Sequence, residues 1–227
     1  MPHDYRDRHV VVTGGDGALG RGVVAALVEA GAECHLPVVG KPSGPAQPKV
    51  HLSGPIDLTQ EAAVAQYYAG LPPIAASIHL AGGFHAAAIV DTDVTDLRGQ
   101  FDLNLVTAFL CCREAVRVMR KAGSGRIVNV AARIVEVPVG GMAAYSVAKA
   151  GVAALTRALA EEVRADSILV NAVLPSIIDT PANRAAMPKA PHDRWPKPAE
   201  IAAAILWLAS SANQLTSGAL VPVYGKA

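Results

Sequence analysis

The sequence predicts an α/β fold, with a doubly wound parallel sheet between two layers of helices in an α/β/α arrangement. Three observations support this prediction. Short β-branched runs alternate with alanine-rich helical segments, the runs are continuously apolar, and the 227 residues are enough for one domain. Strands that are apolar on both faces need helices on both sides of the sheet. We therefore expect residues 1–227 to form a single domain.

The predicted elements follow one another along the chain. Strands are expected over 9–12, 77–81, 126–130, 168–174 and 219–223, and helices over 19–30, up to about 121, from about 145 and over 200–210. Between Pro37 and Pro55 the chain is rich in proline, glycine and serine, which predicts an irregular loop rather than a full helix. A second proline-rich stretch, residues 180–198, follows a strand end, and we interpret it as a substrate lid.

Composition narrows the class of function. A net charge of +1 provides no field that favours nucleic acid or an anionic membrane, so we expect a small-molecule substrate. The polar N-terminus has no apolar signal segment, and the most apolar stretch, 201–209, is far shorter than the roughly 20 residues of a membrane span. Cys34, Cys111 and Cys112 lack metal-ligand spacing and are interpreted as reduced packing residues. These features predict a cytoplasmic protein without a metal site.

A glycine-rich stretch follows the first predicted strand. Gly15, Gly17 and Gly20 satisfy G-x-G-x-x-G between a strand and a helix, where backbone N–H groups and the helix N-terminus bind a pyrophosphate. About 20 residues further on, an acidic residue would bind the ribose of NAD, and a basic one the 2′-phosphate of NADP. The sequence there, HLPVVGKPSG, has no carboxylate and only Lys41 as a cation. The choice between NAD and NADP therefore stays open.

A second pattern lies in 144-AYSVAKAG-151. Tyr145 and Lys149 are four residues apart at the start of an apolar helix, so both side chains project from one face. An ammonium near a phenol favours the phenolate and lowers the tyrosine pKa from about 10. We expect this pair to exchange a proton with a substrate near neutral pH.

The glycine stretch and the Tyr–Lys pair resemble the short-chain dehydrogenase/reductase family, whose members have a Rossmann-type fold, and the resemblance runs nearly end to end. The family motif Thr-Gly-x-x-x-Gly-x-Gly aligns on residues 13–20, with Ala18 in place of the middle glycine. Other matching segments are 57-DLT-59, 81-AGG-83 where Asn-Ala-Gly is usual, 125-GRIVNV-130, 175-PSIIDTP-181 and 217-SGALVPVYG-225. The resemblance implies an NAD(P)-dependent oxidoreductase that assembles as a dimer or tetramer of identical chains.

The resemblance also implies roles for single residues. The implied catalytic set is Tyr145, Lys149 and Asn104, the last as a structural and proton-relay residue. The implied cofactor-binding set is Gly14, Asp16, Gly17, Ala18, Leu19, Gly20, Asp57, Leu58, Ala81, Gly82, Gly83, Tyr145, Lys149, Pro175, Ile178 and Thr180. On the residues alone, Asp57 is equally suited to a place near a helix N-cap, and Asn104 to a hydrogen bond within its helix. Trp195, in the lid, is expected to anchor that segment to the body of the protein.

One departure from the family pattern concerns catalysis. The catalytic serine usually ends the phrase that reads 127-IVNVAA-132 here, so Ala132 takes its place. Loss of such a donor weakens chemistry on ordinary ketones by roughly 100- to 1000-fold. Dihydropteridine reductases, a branch of the same superfamily, also have alanine there and resemble 174-LPSIIDTPANRAAMP-188, so an enzyme of that kind is one alternative. A dinucleotide-binding sensor or scaffold without turnover is another.

Overall fold

The computed structural model of the protein describes residues 4–42 and 47–226. Within those ranges the strands are β1 (His9–Thr13), β2 (Glu33–Pro37), β3 (Val50–Ser53), β4 (Ala76–His79), β5 (Gly125–Val130), β6 (Ile168–Pro175) and β7 (Leu220–Val223). The α-helices in the same ranges are α1 (Ala18–Glu29), α2 (Glu61–Ala69), α3 (Val94–Phe101), α4 (Thr107–Ala122), α5 (Ala143–Glu162), α6 (Pro181–Ala186) and α7 (Pro198–Ala209). None of the described helices is long and apolar enough to cross a membrane.

All seven described strands are parallel and form one sheet in the order β3-β2-β1-β4-β5-β6-β7. Two apolar clusters cover its faces. Val12 packs with Leu27 of α1 and Ile201 of α7 on one face, whereas Val11 packs with Met119 of α4 on the other. Neighbouring side chains of β1 are therefore buried on opposite faces, as a central strand requires. The predicted three-layer α/β/α fold is confirmed.

The strand order also locates the place where such a sheet binds ligands. The chain proceeds outward from β1 through β2 to β3 on one side, and from β4 through β5 and β6 to β7 on the other. Ligands of doubly wound sheets bind at the carboxyl ends of the two strands where this order reverses, which are β1 and β4 here.

The expectation of an irregular loop over Pro37–Pro55 is wrong in part. Residues 50–53 form the edge strand β3, which pairs with β2. His51 and Leu52 are exposed on this edge, so no run of apolar residues marks the strand in the sequence. Residues 38–42 and 47–49 form no helix, as expected, and residues 43–46 of the predicted loop lie outside the described residues.

A chain of buried polar side chains runs through the centre of the sheet. Tyr68 Oη lies 2.8 Å from Ser77 Oγ, which lies 2.8 Å from His79 Nε2. On the other side of the ring, His79 Nδ1 lies 2.8 Å from Asn129 Oδ1, and Asn129 Nδ2 donates to Thr156 Oγ1 at 3.0 Å. Because the Asn129 oxygen can only accept, His79 donates from Nδ1 and accepts from Ser77 at Nε2. These bonds join α2, β4, β5 and α5.

The cysteines lie in the core. All three are free and buried, and burial raises the pKa of the Cys34 and Cys111 thiols to about 12. Cys112 also lies against the buried polar chain, with its sulfur 3.4 Å from Asn129 Oδ1. Their interpretation as packing residues is confirmed.

The buried imidazole makes the stability of the protein depend on pH. Burial lowers the pKa of His79 to about 4, below the ordinary value of 6.5. Below pH 6.5 the unfolded chain binds a proton that the folded chain does not, so stability present above pH 6.5 is lost as the pH falls toward 4. Between pH 7 and pH 5, we expect the free energy of unfolding of the wild type to fall by about 2 kcal/mol more than that of a His79→Gln variant.

Denaturant titrations at the two pH values measure this difference. A His85→Gln variant is the control, because His85 is exposed in the loop after β4 and has no ion pair among the described residues, so its loss should leave the pH dependence of the wild type in place. Equal pH dependence in the wild type and His79→Gln would contradict the prediction, whatever the stability of either protein at pH 7.

Candidate active site

The loop between β1 and α1 packs too closely for side chains at its first and last glycines. Gly14 has a positive φ of 64°, and a Cβ atom there would lie 2.8 Å from the backbone nitrogen of Ala81. A Cβ atom on Gly20 would overlap the carbonyl oxygen of Gly14. Glycine is therefore required at both positions. The loop closes against the chain that follows β4, at the point where the strand order reverses.

The N-terminus of α1 is suited to an anion. The helix begins at Ala18 with Gly17 as its N-cap, no side chain caps it, and its first turn contains no acidic residue. Its first N–H groups therefore have no side-chain partner and lie at the positive end of the helix dipole. Asp16 precedes the N-cap, and its carbonyl oxygen accepts a hydrogen bond from the Arg21 side chain, whereas Leu19 lies within the first turn. A pyrophosphate fits such a loop and helix terminus.

The loop after β4 is bound to the rest of the site through Asn104. The Asn104 side chain accepts a hydrogen bond from Gly83 N at 3.3 Å and donates to Gly83 O at 3.0 Å and Gln100 O at 3.1 Å. It lies in a π-helical turn over Asp102–Val106, between α3 and α4, of a kind frequent at functional sites. Asn104 thus makes a hydrogen bond within its helical segment, as one interpretation predicts, and also binds the loop 81–83. Its role as a proton relay stays a prediction.

Tyr145 and Lys149 lie in the first two turns of α5, as their spacing predicts. Lys149 is buried, and its Nζ donates to Val130 O at the end of β5 at 2.8 Å. The same Nζ lies 5.9 Å from the centre of the Tyr145 ring, and Phe84 packs edge-to-face on that ring at 5.0 Å between centroids. A Cβ atom on Gly82 would lie 3.5 Å from the Lys149 nitrogen. The structure therefore brings the loop after β4 and the Tyr–Lys pair together.

Burial controls the protonation of this pair. It raises the pKa of Tyr145 to about 12 and lowers the pKa of Lys149 to about 8. The sequence-based expectation that Lys149 lowers the pKa of Tyr145 is not met, because desolvation of the phenolate outweighs an ammonium that is 5.9 Å from the ring centre. At neutral pH, Tyr145 is protonated and Lys149 is charged.

Asp57 and Leu58, which the family resemblance assigns to cofactor binding, precede α2. Asp57 accepts from the Thr59 backbone N–H and hydroxyl at 2.9 and 2.7 Å, and α2 begins only at Glu61 after Gln60, so the interpretation of Asp57 near its N-cap is wrong. The Leu58 side chain is buried in the core. Beyond β2, Lys41 is exposed, and residues 38–42 include no carboxylate.

The segment after β6 contains the remaining predicted site residues. Pro175 ends the strand, Ile178 packs against the cluster that includes α1 and α7, and Thr180 caps α6 by accepting from Asn183 N at 3.2 Å. Within the predicted lid, Trp195 is 5% exposed, which confirms its role as an anchor. No group of three or more His, Cys, Asp or Glu side chains in the described part of the chain is arranged to hold a metal ion.

Ala132 lies just beyond β5, where the usual serine would be. Its backbone is extended, its side chain is buried, and no hydroxyl is available there. Two contacts of the site were missed by the sequence reasoning. The Val130 carbonyl that binds Lys149 is a backbone group and leaves no sequence signal, whereas the Thr13 hydroxyl, which accepts from Ala81 N at 3.2 Å, belongs to the recognised glycine motif.

Comparison with known proteins identifies the family. Residues 8–190, more than half of the chain, match the family model described as short chain dehydrogenase. The chain belongs to the short-chain dehydrogenase family. It is an oxidoreductase of this family, and the alternative of a sensor without turnover finds no support in these matches.

Individual short-chain dehydrogenases are similar over nearly the full length. The cis-4-hydroxycyclohexanecarboxylate dehydrogenase of Sinomonas cyclohexanicum is 32% identical over 99% of this chain and 98% of its own. The 2,5-dichloro-2,5-cyclohexadiene-1,4-diol dehydrogenase of Sphingobium indicum is 31% identical over 98% and 97%. A solved short-chain type dehydrogenase/reductase from Mycobacterium ulcerans superposes with a TM-score of 0.87 at 25% identity, covering 98% of this chain and 90% of that one.

The family implies a nicotinamide dinucleotide, and the residues present fit one in most respects. The glycine loop, the uncapped start of α1 and the buried Lys149 ammonium provide the expected surfaces. The corner after β2 fits less well, because it offers Lys41 and no ribose-binding carboxylate. This site therefore has the general features for a dinucleotide but not the feature that selects NAD.

A methyl group at Gly20 tests the glycine loop. Because it would overlap the Gly14 carbonyl oxygen, the loop must shift, and we expect Gly20→Ala to weaken binding of NADH or NADPH by at least about tenfold. Nucleotide fluorescence titration measures the affinity. Gly99→Ala in α3 is the control, since no atom lies within 4 Å of the added carbon. If a folded Gly20→Ala protein binds the dinucleotide with unchanged affinity, the assignment of this loop to pyrophosphate binding is contradicted.

Proposed function

We propose that residues 1–227 form one NAD(P)-binding domain that transfers hydride between the nicotinamide and a small carbonyl or imine-like substrate. Tyr145 is the proton donor in this proposal. The observation that carries it is the placement of the buried Lys149 ammonium beside Tyr145 and close to Gly82 in the loop after β4. When bound, the nicotinamide supplies or accepts the hydride.

Each part of the site has a separate task. The loop Gly14–Gly20 binds the pyrophosphate through its backbone, and the loop Ala81–Gly83 borders the dinucleotide. Lys149 holds the nicotinamide ribose through its ammonium, which is present at pH 7 and is lost above its pKa of about 8. Tyr145 Oη gives its proton to the substrate heteroatom, and Asn104 orders the water that returns a proton to the site.

The relatives support a ring substrate with a secondary alcohol or ketone. One is named for a hydroxylated cyclohexanecarboxylate and another for a chlorinated cyclohexadiene diol. The exposed Phe84, on the edge of Tyr145, gives the entrance an apolar wall suited to such a ring.

The cofactor is NAD or NADP, and the lysine beyond β2 gives NADP one favourable contact. Lys41 is exposed and follows the strand whose end faces the adenosine ribose in this fold. Parallel titrations with NADH and NADPH decide the choice, and equal affinity would exclude a role for Lys41 in it.

Assembly and location belong to the same proposal. Phe109 on α4 and Val147 on α5 are about half exposed, which favours burial of these helices in a dimer or tetramer of identical chains. The three free thiols favour a reducing compartment, the cytoplasm. A monomeric mass in light scattering or recovery of the protein from a secreted fraction would contradict these points.

Removing the phenol oxygen of Tyr145 tests its role. We expect Tyr145→Phe to lower turnover by about 100-fold or more while dinucleotide binding is kept. The assay measures formation of NADH or NADPH with cis-4-hydroxycyclohexanecarboxylate as substrate. It measures their consumption with the corresponding ketone and with quinonoid dihydropterin. Tyr67→Phe is the matched control, because the buried Tyr67 hydroxyl has no hydrogen-bond partner among the described residues. Equal turnover in wild type and Tyr145→Phe would refute the assignment.

A dihydropteridine reductase-like activity is the second candidate, and Ala132 is the observation that favours it. A quinonoid dihydropterin is not a simple ketone and depends less on a serine hydroxyl. We expect Ala132→Ser to raise activity on ring ketones by about tenfold or more if the enzyme is a ketone reductase, and to change pterin reduction little if it is not. Ala131→Ser, at the adjacent buried alanine, is the control. If the wild type reduces ring ketones and Ala132→Ser does not raise that activity, or if Ala132→Ser strongly changes pterin reduction, the role assigned to position 132 is contradicted.

A further inference from the structure

The residue after Ala132 carries a cation that the proposed chemistry does not use. Arg133 begins a short 3-10 turn over Arg133–Val135, directly beyond β5. Its Cα therefore lies about 3.8 Å from the Cα of Ala132, which occupies the position of the family's serine. Its side chain is only partly exposed, so the guanidinium lies against the protein rather than extended into solvent.

Tyr224 fixes the direction of this side chain. The Arg133 guanidinium carbon lies 5.4 Å from the centre of the Tyr224 ring, just beyond β7. The Tyr224 carbonyl accepts from Ser176 Oγ at 2.8 Å, at the start of the segment after β6. Two residues further, Lys226 exchanges hydrogen bonds of 2.9 and 3.0 Å with Arg194 in the lid segment 180–198. Arg133 thus lies among the ends of β5, β6 and β7, beside the lid.

The Arg133 guanidinium has no anionic partner among the described residues. Within the described residues Arg133 has no salt bridge, and its Nε is buried without a hydrogen-bond partner. The Asp179 carboxylate, in the segment after β6, is bound to Arg184 at 2.5 and 2.8 Å. A buried polar group without a partner is rare in folded proteins and needs an explanation. A ring contact with Tyr224 offers the cation a face but satisfies none of its N–H groups.

A planar guanidinium matches one chemical class best. It presents parallel N–H groups at the spacing of the two oxygens of a carboxylate, and it stays charged at all pH values that proteins tolerate. A guanidinium next to the position of the usual serine attracts a substrate that has an anionic end. We infer that Arg133 binds the carboxylate of a small hydroxy or keto acid and determines specificity for it.

This inference deepens the proposed function and rests on it for the location of the substrate. The ring of the substrate then lies between Tyr145 and Arg133, so that its reacting carbon faces the phenol and its carboxylate faces the guanidinium. Charge recognition at the far end of the substrate takes over the orienting task that the serine hydroxyl would have. Arg133 is a specificity-determining residue in this arrangement and takes no part in proton transfer.

Two ligands of one shape test the inference without turnover. Cyclohexanecarboxylate and cyclohexanecarboxamide share the ring and differ in charge, and calorimetric titration of the protein, with and without NADH or NADPH, gives both affinities. We expect the wild type to bind the carboxylate at least about tenfold more tightly than the amide. Arg133→Met should abolish that preference, and Arg133→Lys should retain part of it because the charge remains.

The controls separate this inference from the proposed function. Arg164→Met removes an exposed arginine that pairs with Glu161 at the other end of α5, and it should keep the full preference. Dinucleotide affinity of Arg133→Met should equal that of the wild type. If the wild type binds neither NADH nor NADPH, the proposed function is refuted, whatever the result for Arg133. If the wild type binds acid and amide equally or binds neither, or if folded Arg133→Met or Arg133→Lys keeps the full preference, the inference is overturned.

Discussion

The buried hydrogen-bond chain through His79 and Asn129 is the constraint on which the rest of the site depends. It joins buried side chains on one face of β4 and β5, where a polar group that loses its partner is costly. Each group has one donor and one acceptor role, so a shift of either strand by one residue would leave several polar groups unpaired. Thr156 extends the chain to α5 by donating to Val152 O at 2.8 Å. The register of β4 and β5 and the position of α5 are therefore coupled.

That coupling places the reacting groups. Asn129 is followed directly by Val130, whose carbonyl binds Lys149, and the His79 strand leads into the loop 81–83 that Asn104 holds. A strand end, a helix face and a loop thus converge through contacts that are mostly to backbone atoms. Side-chain identity matters at only a few positions, which explains how a family of this fold can vary widely in sequence while keeping one geometry.

The sequence was sufficient where local chemistry determines structure. The glycine loop could be located because Gly14 and Gly20 permit backbone contacts that no other residue allows. The shared helix face of Tyr145 and Lys149 could be predicted because an α-helix repeats every 3.6 residues. Edge strand β3 was missed because its exposed residues form no apolar run. The protonation of Tyr145 was predicted in the wrong direction, since burial depends on Phe84 and on the rest of the fold, which spacing alone does not reveal.

Burial shifts the pKa values of the two key groups in opposite directions, and the result favours one direction of reaction. Tyr145, with a pKa of about 12, keeps its proton at neutral pH, and Lys149, with a pKa of about 8, keeps its charge. In the proposed mechanism a protonated phenol is the form needed to reduce a carbonyl, whereas oxidation of an alcohol needs the phenolate. A positively charged dinucleotide ring next to the phenol would favour the phenolate, because its charge would add to that of Lys149, which alone does not offset the desolvation of Tyr145. In the proposed mechanism, the charge of the bound dinucleotide would therefore set the protonation of Tyr145 that each direction requires.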